Sequence, residues 1–306
     1  MKVLVAVDGS RGSSEAVRQA AQLLAPGKDE LALYYSPPTV EVKAREIDAA
    51  VLERVRLALD QGVFDQAHAQ LPAALHPSVH TIVGTQPAKQ GILVAADQWH
   101  ADLIAIGARG LGPLERLLLG SVSRAVSHGA HAPVLVARER TGRREGEPLR
   151  VMAACDSAAQ GQPIAELLSR LTWPADAVGQ TITVVPSLLV GQVPAWLEKQ
   201  VRTSDVKAMA HAWQLEHQTD LQAKRDQMRA FCKQLPGPFQ QTEPLVVEGH
   251  PAEKILERAA ADRVDVIVLV ARETGTIARL LLGSTSEAVL NHAPCSVLIV
   301  HAPPTP

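Results

Sequence analysis

Gly107-Ala-Arg-Gly110-Leu-Gly112-Pro-Leu-Glu-Arg116-Leu-Leu-Leu-Gly120-Ser121-Val-Ser123 recurs 163 residues later as Val270-Ala-Arg-Glu273-Thr-Gly275-Thr-Ile-Ala-Arg279-Leu-Leu-Leu-Gly283-Ser284-Thr-Ser286, without a gap. In a chain of 306 residues that spacing is a duplication of half the molecule, and it must be seen before any element is assigned. The match runs on into Ala125-Val126 and Ala288-Val289. The copies part where a main chain would have to approach an anion closely. The first has Gly107 and Gly110 there, and the second has Val270 and Glu273. That asymmetry predicts one nucleotide site and one retired site on a shared scaffold.

Working outward, each half opens with an apolar strand, Lys2–Val7 or Arg150–Cys155, followed by Asp8-Gly9-Ser10 or Asp156-Ser157. Helical periodicity follows at Ser13–Leu24 and Gln162–Leu171, and strand-like runs at Glu30–Tyr35 and Gln180–Val185. Long segments of helical period occupy Val42–Gln70 and Val193–Gln234, the second longer and rich in Gln, Lys and Ala. In that second segment Trp196, Trp213 and Met228 are expected to face a core. Strands are predicted at Val79–Val83 before Gly84 and at Glu243–Val247 before Gly249, with helices starting at Pro87 and Pro251. The strands Asp102–Ile106 and Asp265–Leu269 lead into the repeated loop, then a helix, then final strands Val134–Ala137 and Val297–Val300.

Strands alternating with helices, the strands apolar throughout, predict an α/β fold of two tandem doubly wound domains. Each is expected to be a five-stranded parallel sheet with helices on both faces. The boundaries expected are 1–140 for the first domain, 141–149 for a charged, glycine-containing linker and 150–306 for the second domain.

Composition narrows the function classes. The formal charge of −2 offers no footprint for nucleic acid. No apolar run approaches the roughly 20 residues of a membrane span, and Val3–Val7 is too short for a secretory signal and reads as a strand. The scattered Cys155, Cys232 and Cys295 form no C-x-x-C pair and read as buried thiols of a reducing compartment. His128 and His131 lie three apart beside a strand and do not make a metal site.

Ligands of open α/β sheets sit beyond the carboxyl ends of the strands, where strand order reverses, and the loop after Ile106 is at such an end. Gly107 and Gly110 let main-chain N–H groups approach phosphate oxygens. After nine residues the chain returns in Gly120-Ser121-Val122-Ser123 at a helix start, where free N–H groups and the dipole favour an anion. Ser121 and Ser123 add hydroxyls, and Ser121 is equally able to serve as a simple helix cap. Asp8, at a strand end before Gly9-Ser10, reads both as a turn residue and as a ligand contact.

This G-x-x-G, nine residues, G-[ST] pattern resembles the ATP-binding motif of the universal stress protein family. The resemblance extends to the Val5-Ala6-Val7-Asp8 opening, Gly84 after the third strand and the Ala132-Pro133-Val134-Leu135-Val136 ending. It implies ATP as the ligand, with or without Mg. Asp8 would then approach the ribose or a phosphate-bound metal, and Ala6 and Val7 would line the adenine side with Tyr35 or Ser36. Gly107, Arg109 and Gly110 would hold ribose and phosphate, and Gly120, Ser121, Val122 and Ser123 the triphosphate. Because Arg272 repeats Arg109 in the degenerate half, a structural role for Arg109 stands beside the phosphate role. The final strands resemble those through which single-domain members dimerise. That implies an internal pseudo-dimer, with a homodimer of whole chains as a further assembly. The reading is of a cytoplasmic stress-response protein with nucleotide-dependent interactions. A weak magnesium-dependent ATPase or phosphoryl-transferring enzyme, and a scaffold without functional nucleotide binding, are the alternatives.

Overall fold

The computed structural model describes residues 1–37, 48–110, 119–139, 146–185, 204–271 and 282–301, the side chains of 49 and 204–214 apart. The elements of the first half are β1 (Lys2–Ala6), α1 (Arg11–Gln22), β2 (Glu30–Tyr35), α2 (Ala49–His68), a 3-10 helix (Ala73–Ser78), β3 (Val79–Val83), α3 (Ala88–Trp99), β4 (Leu103–Gly107), α4 (Ser121–Gly129) and β5 (Val134–Ala137). The second half has β6 (Arg150–Ala154), α5 (Ala158–Arg170), β7 (Val178–Val185), α6 (Ser204–Cys232), α7 (Gly237–Gln240), β8 (Leu245–Glu248), α8 (Pro251–Ala261), β9 (Val266–Ala271), α9 (Ser284–His292) and β10 (Ser296–His301). Most of the linker expected at 141–149, the expected helical residues 42–47 and 193–203 (Trp196 among them), and the side chain of Trp213 lie outside the described residues.

All ten strands belong to one sheet, in the order β3-β2-β1-β4-β5-β10-β9-β6-β7-β8. Within each half the pairs are parallel, and β5 meets β10 antiparallel through Val134↔Ile299, Leu135↔Leu298 and Val136↔Val297. The expected internal pairing of the final strands is therefore present. Strand parity sorts the side chains into two layers. Val3, Val5, Leu33 and Leu135 face a core with Val17 of α1, Phe64 of α2, Leu168 of α5 and Phe231 of α6. Leu4, Ile104, Val134 and Ile267 face the opposite core with Ile92 of α3, Val126 of α4, Ala259 of α8 and Leu290 of α9. Each core runs through both halves.

The aromatic-poor composition gives its few large rings special fits. A Cβ on Gly161 would come 2.5 Å from the Phe231 ring, and one on Gly179 would come 2.4 Å from the Phe239 ring. Met228 is fully buried, as its helical spacing predicts. Helix α5 begins at Ala158, four residues before the sequence reading, because Ser157 accepts from the Gln160 N–H and Pro163 is carried inside the helix. Cys155, Cys232 and Cys295 are buried free thiols, and burial pushes Cys155 up to about 12, which leaves it an unreactive thiol. Among the described residues no helix is long and apolar enough to cross a membrane.

The seam between halves is polar at its ends. Ser296, fully buried, accepts the Arg138 main-chain N–H at 2.9 Å. The Arg138 guanidinium donates to the Leu290 and Cys295 carbonyls at 2.5 and 3.4 Å, which satisfies the carboxyl end of α9. Arg124 and His128 of α4 meet Glu287 of α9 at 3.2 and 2.9 Å, and Arg170 meets Asp102 at 2.6 Å.

Candidate functional site

Strand order in the first half reverses between β1 and β4, and a cavity of about 330 Å³ opens there at their carboxyl ends. All of the sequence-predicted site residues but Tyr35 line it: Ala6, Val7 and Asp8 from β1 and its exit, Ser36 after β2, Gly107, Arg109 and Gly110 from β4 and its exit, and Gly120, Ser121, Val122 and Ser123 at the start of α4. The sequence reading missed Ser13, Tyr34, Ala88, Ile92, Ile106 and Leu119. Most of these are apolar residues whose periodicity marks only a core, so nothing in their spacing distinguishes a cavity wall. Residues 111–118 of the repeated loop lie outside the described residues.

Parity decides between the two residues offered from β2. Ser36 lines the cavity, whereas Tyr35 points into the opposite core, its ring edge-on to Phe64 at 6.3 Å. Tyr35 is thus removed from the adenine side, and Tyr34 takes its place in the wall. Ser36 donates its hydroxyl to the Gln86 carbonyl at 2.6 Å.

Helix α4 starts without a side-chain cap. Its N-cap is Gly120, and Ser121 is the first helical residue, so the cap considered for Ser121 is not made. The Gly120 N–H bonds the Ala108 carbonyl at 2.8 Å and the Arg124 N–H closes the first turn on Gly120. This leaves the N–H groups of Ser121, Val122 and Ser123 without helical partners at the positive end of the dipole. The Ser123 hydroxyl is already used, because it is buried and donates to the Gly107 carbonyl at 2.7 Å. Ser121, by contrast, is exposed. Asp8 accepts the Ser10 N–H at 3.0 Å through one carboxylate oxygen. The other oxygen lies 2.4 Å from where a Gly110 Cβ would stand. His128 and His131 point elsewhere, to Glu287 and Asp97.

The glycines have more specific reasons than close approach to an anion. A Cβ on Gly107 would meet the Gly12 carbonyl carbon at 2.4 Å, and one on Gly12 would meet the Arg109 carbonyl oxygen at 2.3 Å. Gly9, with φ of 77°, turns the chain into α1. Among the described residues, the second half lacks this arrangement. Counted from strand end to N-cap, its turn from β6 to Ser157 is one residue shorter, and Ala159 stands where Gly12 does. Val270 replaces Gly107 and packs against the core. What survives is the helix start: Gly283 is the uncapped N-cap of α9, and Ser286 donates to the Val270 carbonyl at 3.1 Å. Arg272, Glu273 and Gly275 lie outside the described residues.

Comparison with known proteins bears on this site. The model of the universal stress protein family matches residues 1–138 and 193–301. A universal stress protein of Mycolicibacterium smegmatis is 24% identical over 303 residues, covering 97% of this chain and 96% of its own length. Universal stress protein Rv2005c of Mycobacterium tuberculosis is 32% identical over 141 residues, 45% of each chain. The crystal structure of a universal stress protein from Archaeoglobus fulgidus superimposes with a TM-score of 0.57, covering 98% of both chains at 19% identity, and shares the fold.

Proposed function

The chain belongs to the universal stress protein family, and from that premise we propose that its first half binds ATP, with the bound nucleotide setting the protein's interactions in a stress response. The observation that carries the reading is the joining of two unlike surfaces in one cavity. Tyr34, Ile92, Ile106 and Leu119 make an apolar wall suited to a base, and Gly110, Gly120 and Ser121 border the bare start of α4. The strands β2 and β4 flank β1, so the cavity runs about 10 Å from Tyr34 on β2 to the exit of β4. That is the reach of a nucleoside polyphosphate laid across the strand ends.

The first-turn N–H groups of α4 would take the phosphates, each such contact with the dipole contributing about 0.3–1 kcal/mol. Gly110 leaves room for Asp8, whose free oxygen is placed to accept ribose hydroxyls or to hold a Mg ion that would neutralise phosphate charge. Asp8 is the one carboxylate and Arg109 the one cation among the described lining residues. That set suits holding a nucleotide better than moving protons during its turnover. In the second half the shortened turn and Val270 argue for a retired site. The domains are taken as 1–140 and 150–306 about a 141–149 linker, and the protein as a resident of the cytoplasm.

The test is to denature purified protein and quantify the nucleotide released per chain, beside Gly110→Glu. One ATP per chain, lost in the variant because a side chain at 110 displaces Asp8, is the expected result. No nucleotide, and no uptake of added ATP, would sink the reading, and ADP in its place would shift it toward hydrolysis.

A further inference from the structure

Helices α4 and α9, which the duplication makes equivalent, meet each other across the seam. The antiparallel strand pair there is centred on Leu135↔Leu298, residues 163 apart in sequence, with Val134↔Ile299 and Val136↔Val297 on either side. Equivalent residues thus stand opposite one another, as about a local two-fold axis. Arg124 and Glu287 are also 163 apart, and so are His128 and Asn291.

These four side chains join the helices. The Arg124 guanidinium reaches Glu287 Oε1 at 3.2 Å and donates to Asn291 Oδ1 at 2.8 Å. His128 Nε2 lies 2.9 Å from Glu287 Oε2. Along its own helix, Asn291 donates to Glu287 Oε1 at 3.0 Å and holds the carboxylate. Exchanging equivalent residues turns the Arg124–Asn291 contact into the Glu287–His128 contact, and turns the Arg124–Glu287 contact into itself. The cluster therefore has the geometry of a self-complementary contact, but its two sides carry opposite charge.

The same geometry between like halves would fail. Two first halves would set Arg124 against Arg124 and each Arg124 against a His128, with no carboxylate in the cluster. Two second halves would set Glu287 against Glu287, with no cation. Glu287 and His128 are 28% and 19% exposed, so solvent screens such repulsion only in part. The strands themselves offer little choice, because Val134-Leu135-Val136 and Val297-Leu298-Ile299 are nearly the same surface.

We propose that Arg124, His128, Glu287 and Asn291 are the residues by which each half selects the other. The face built from α4 and β5 fits the α9 and β10 face of this chain and rejects a second copy of itself. Selection of this kind needs repulsion against the wrong partner as well as attraction to the right one.

The full chain carries the test. Glu287→Arg with Asn291→His gives its seam the side chains of two paired first halves. Arg124→Glu with His128→Asn gives it those of two paired second halves. Both double variants should unfold at a lower urea midpoint than the wild type, and the loss should shrink as salt is raised. The variant with all four substitutions restores opposite charges with the roles of the halves reversed. It should recover most of the wild-type midpoint. A fourfold variant whose loss equals the sum of the two double variants would overturn the proposal, because the residues would then act singly. Double variants as stable as the wild type would overturn it too. Should a double variant fail to fold, a folded fourfold variant supports the proposal and an unfolded one overturns it.

Discussion

At the level of single residues, Gly107 shows how one position can have a packing reason that its sequence neighbours do not reveal. The sequence presents it as a glycine facing phosphate, yet its missing Cβ is demanded by the Gly12 carbonyl carbon 2.4 Å away. Gly12 carries no signal of its own in the sequence, because its partner is 95 residues distant and only the fold joins them. Gly107→Ala should therefore destabilise the nucleotide-free protein by about 1–3 kcal/mol through overpacking against main chain. Gly12→Ala should behave alike through the Arg109 carbonyl oxygen, and the double variant should cost less than the sum, because both force the same two main-chain segments apart. Urea midpoints of the three variants decide this. Ser121→Ala makes the contrasting case. Ser121 is exposed and is not a cap, so its loss should leave the nucleotide-free midpoint within about 0.5 kcal/mol and act only on nucleotide affinity.

At the level of elements, strands were the most legible part of the chain. Glu30–Tyr35, Val79–Val83 and Val134–Ala137 stand where their apolar runs predict. Less legible were the 3-10 helix Ala73–Ser78 and the short α7, which have no period to read. Parity of Tyr34 and Tyr35 was equally hidden, because a strand buried on both faces has no polar side to mark its register. Gly84 and Gly249 look equivalent in sequence, but β7 and β8 run two residues further than β2 and β3, so the two glycines fill different places. The seam strands carry a pH-dependent element. His301 follows Arg138 by 163 residues, at the corresponding end of β10, and its ring Nε2 is buried without a partner. Burial, reinforced by His131 and His128, lowers it from 6.5 to about 4. The folded state resists a proton that the unfolded chain accepts, so stability is full above about pH 6.5 and falls as the pH drops from there to about 4. The loss amounts to roughly 3 kcal/mol. His301→Gln should flatten that part of the urea-midpoint profile.

At the level of the whole molecule, the two cores each cross the β5–β10 seam, so the halves share their packing as well as a strand pair. Variants keeping only Trp99 or only Trp173 place one fluorescent reporter in each half. They should unfold in urea at the same midpoint, as one cooperative unit. Separate midpoints would show that the halves melt independently. The duplication was plain in the sequence, whereas the continuity of the cores depends on strands from opposite halves lying side by side, which no local pattern records. Joining the pair in one chain also changes what a mutation can do. In an assembly of two identical subunits every substitution is made twice, and a damaged pocket is damaged in both. Here Val270 and the shortened turn before α5 alter one half alone, while Gly12, Gly107 and Tyr34 stay intact in the other. The antiparallel seam thus turns a symmetric partnership into one whose members are free to diverge.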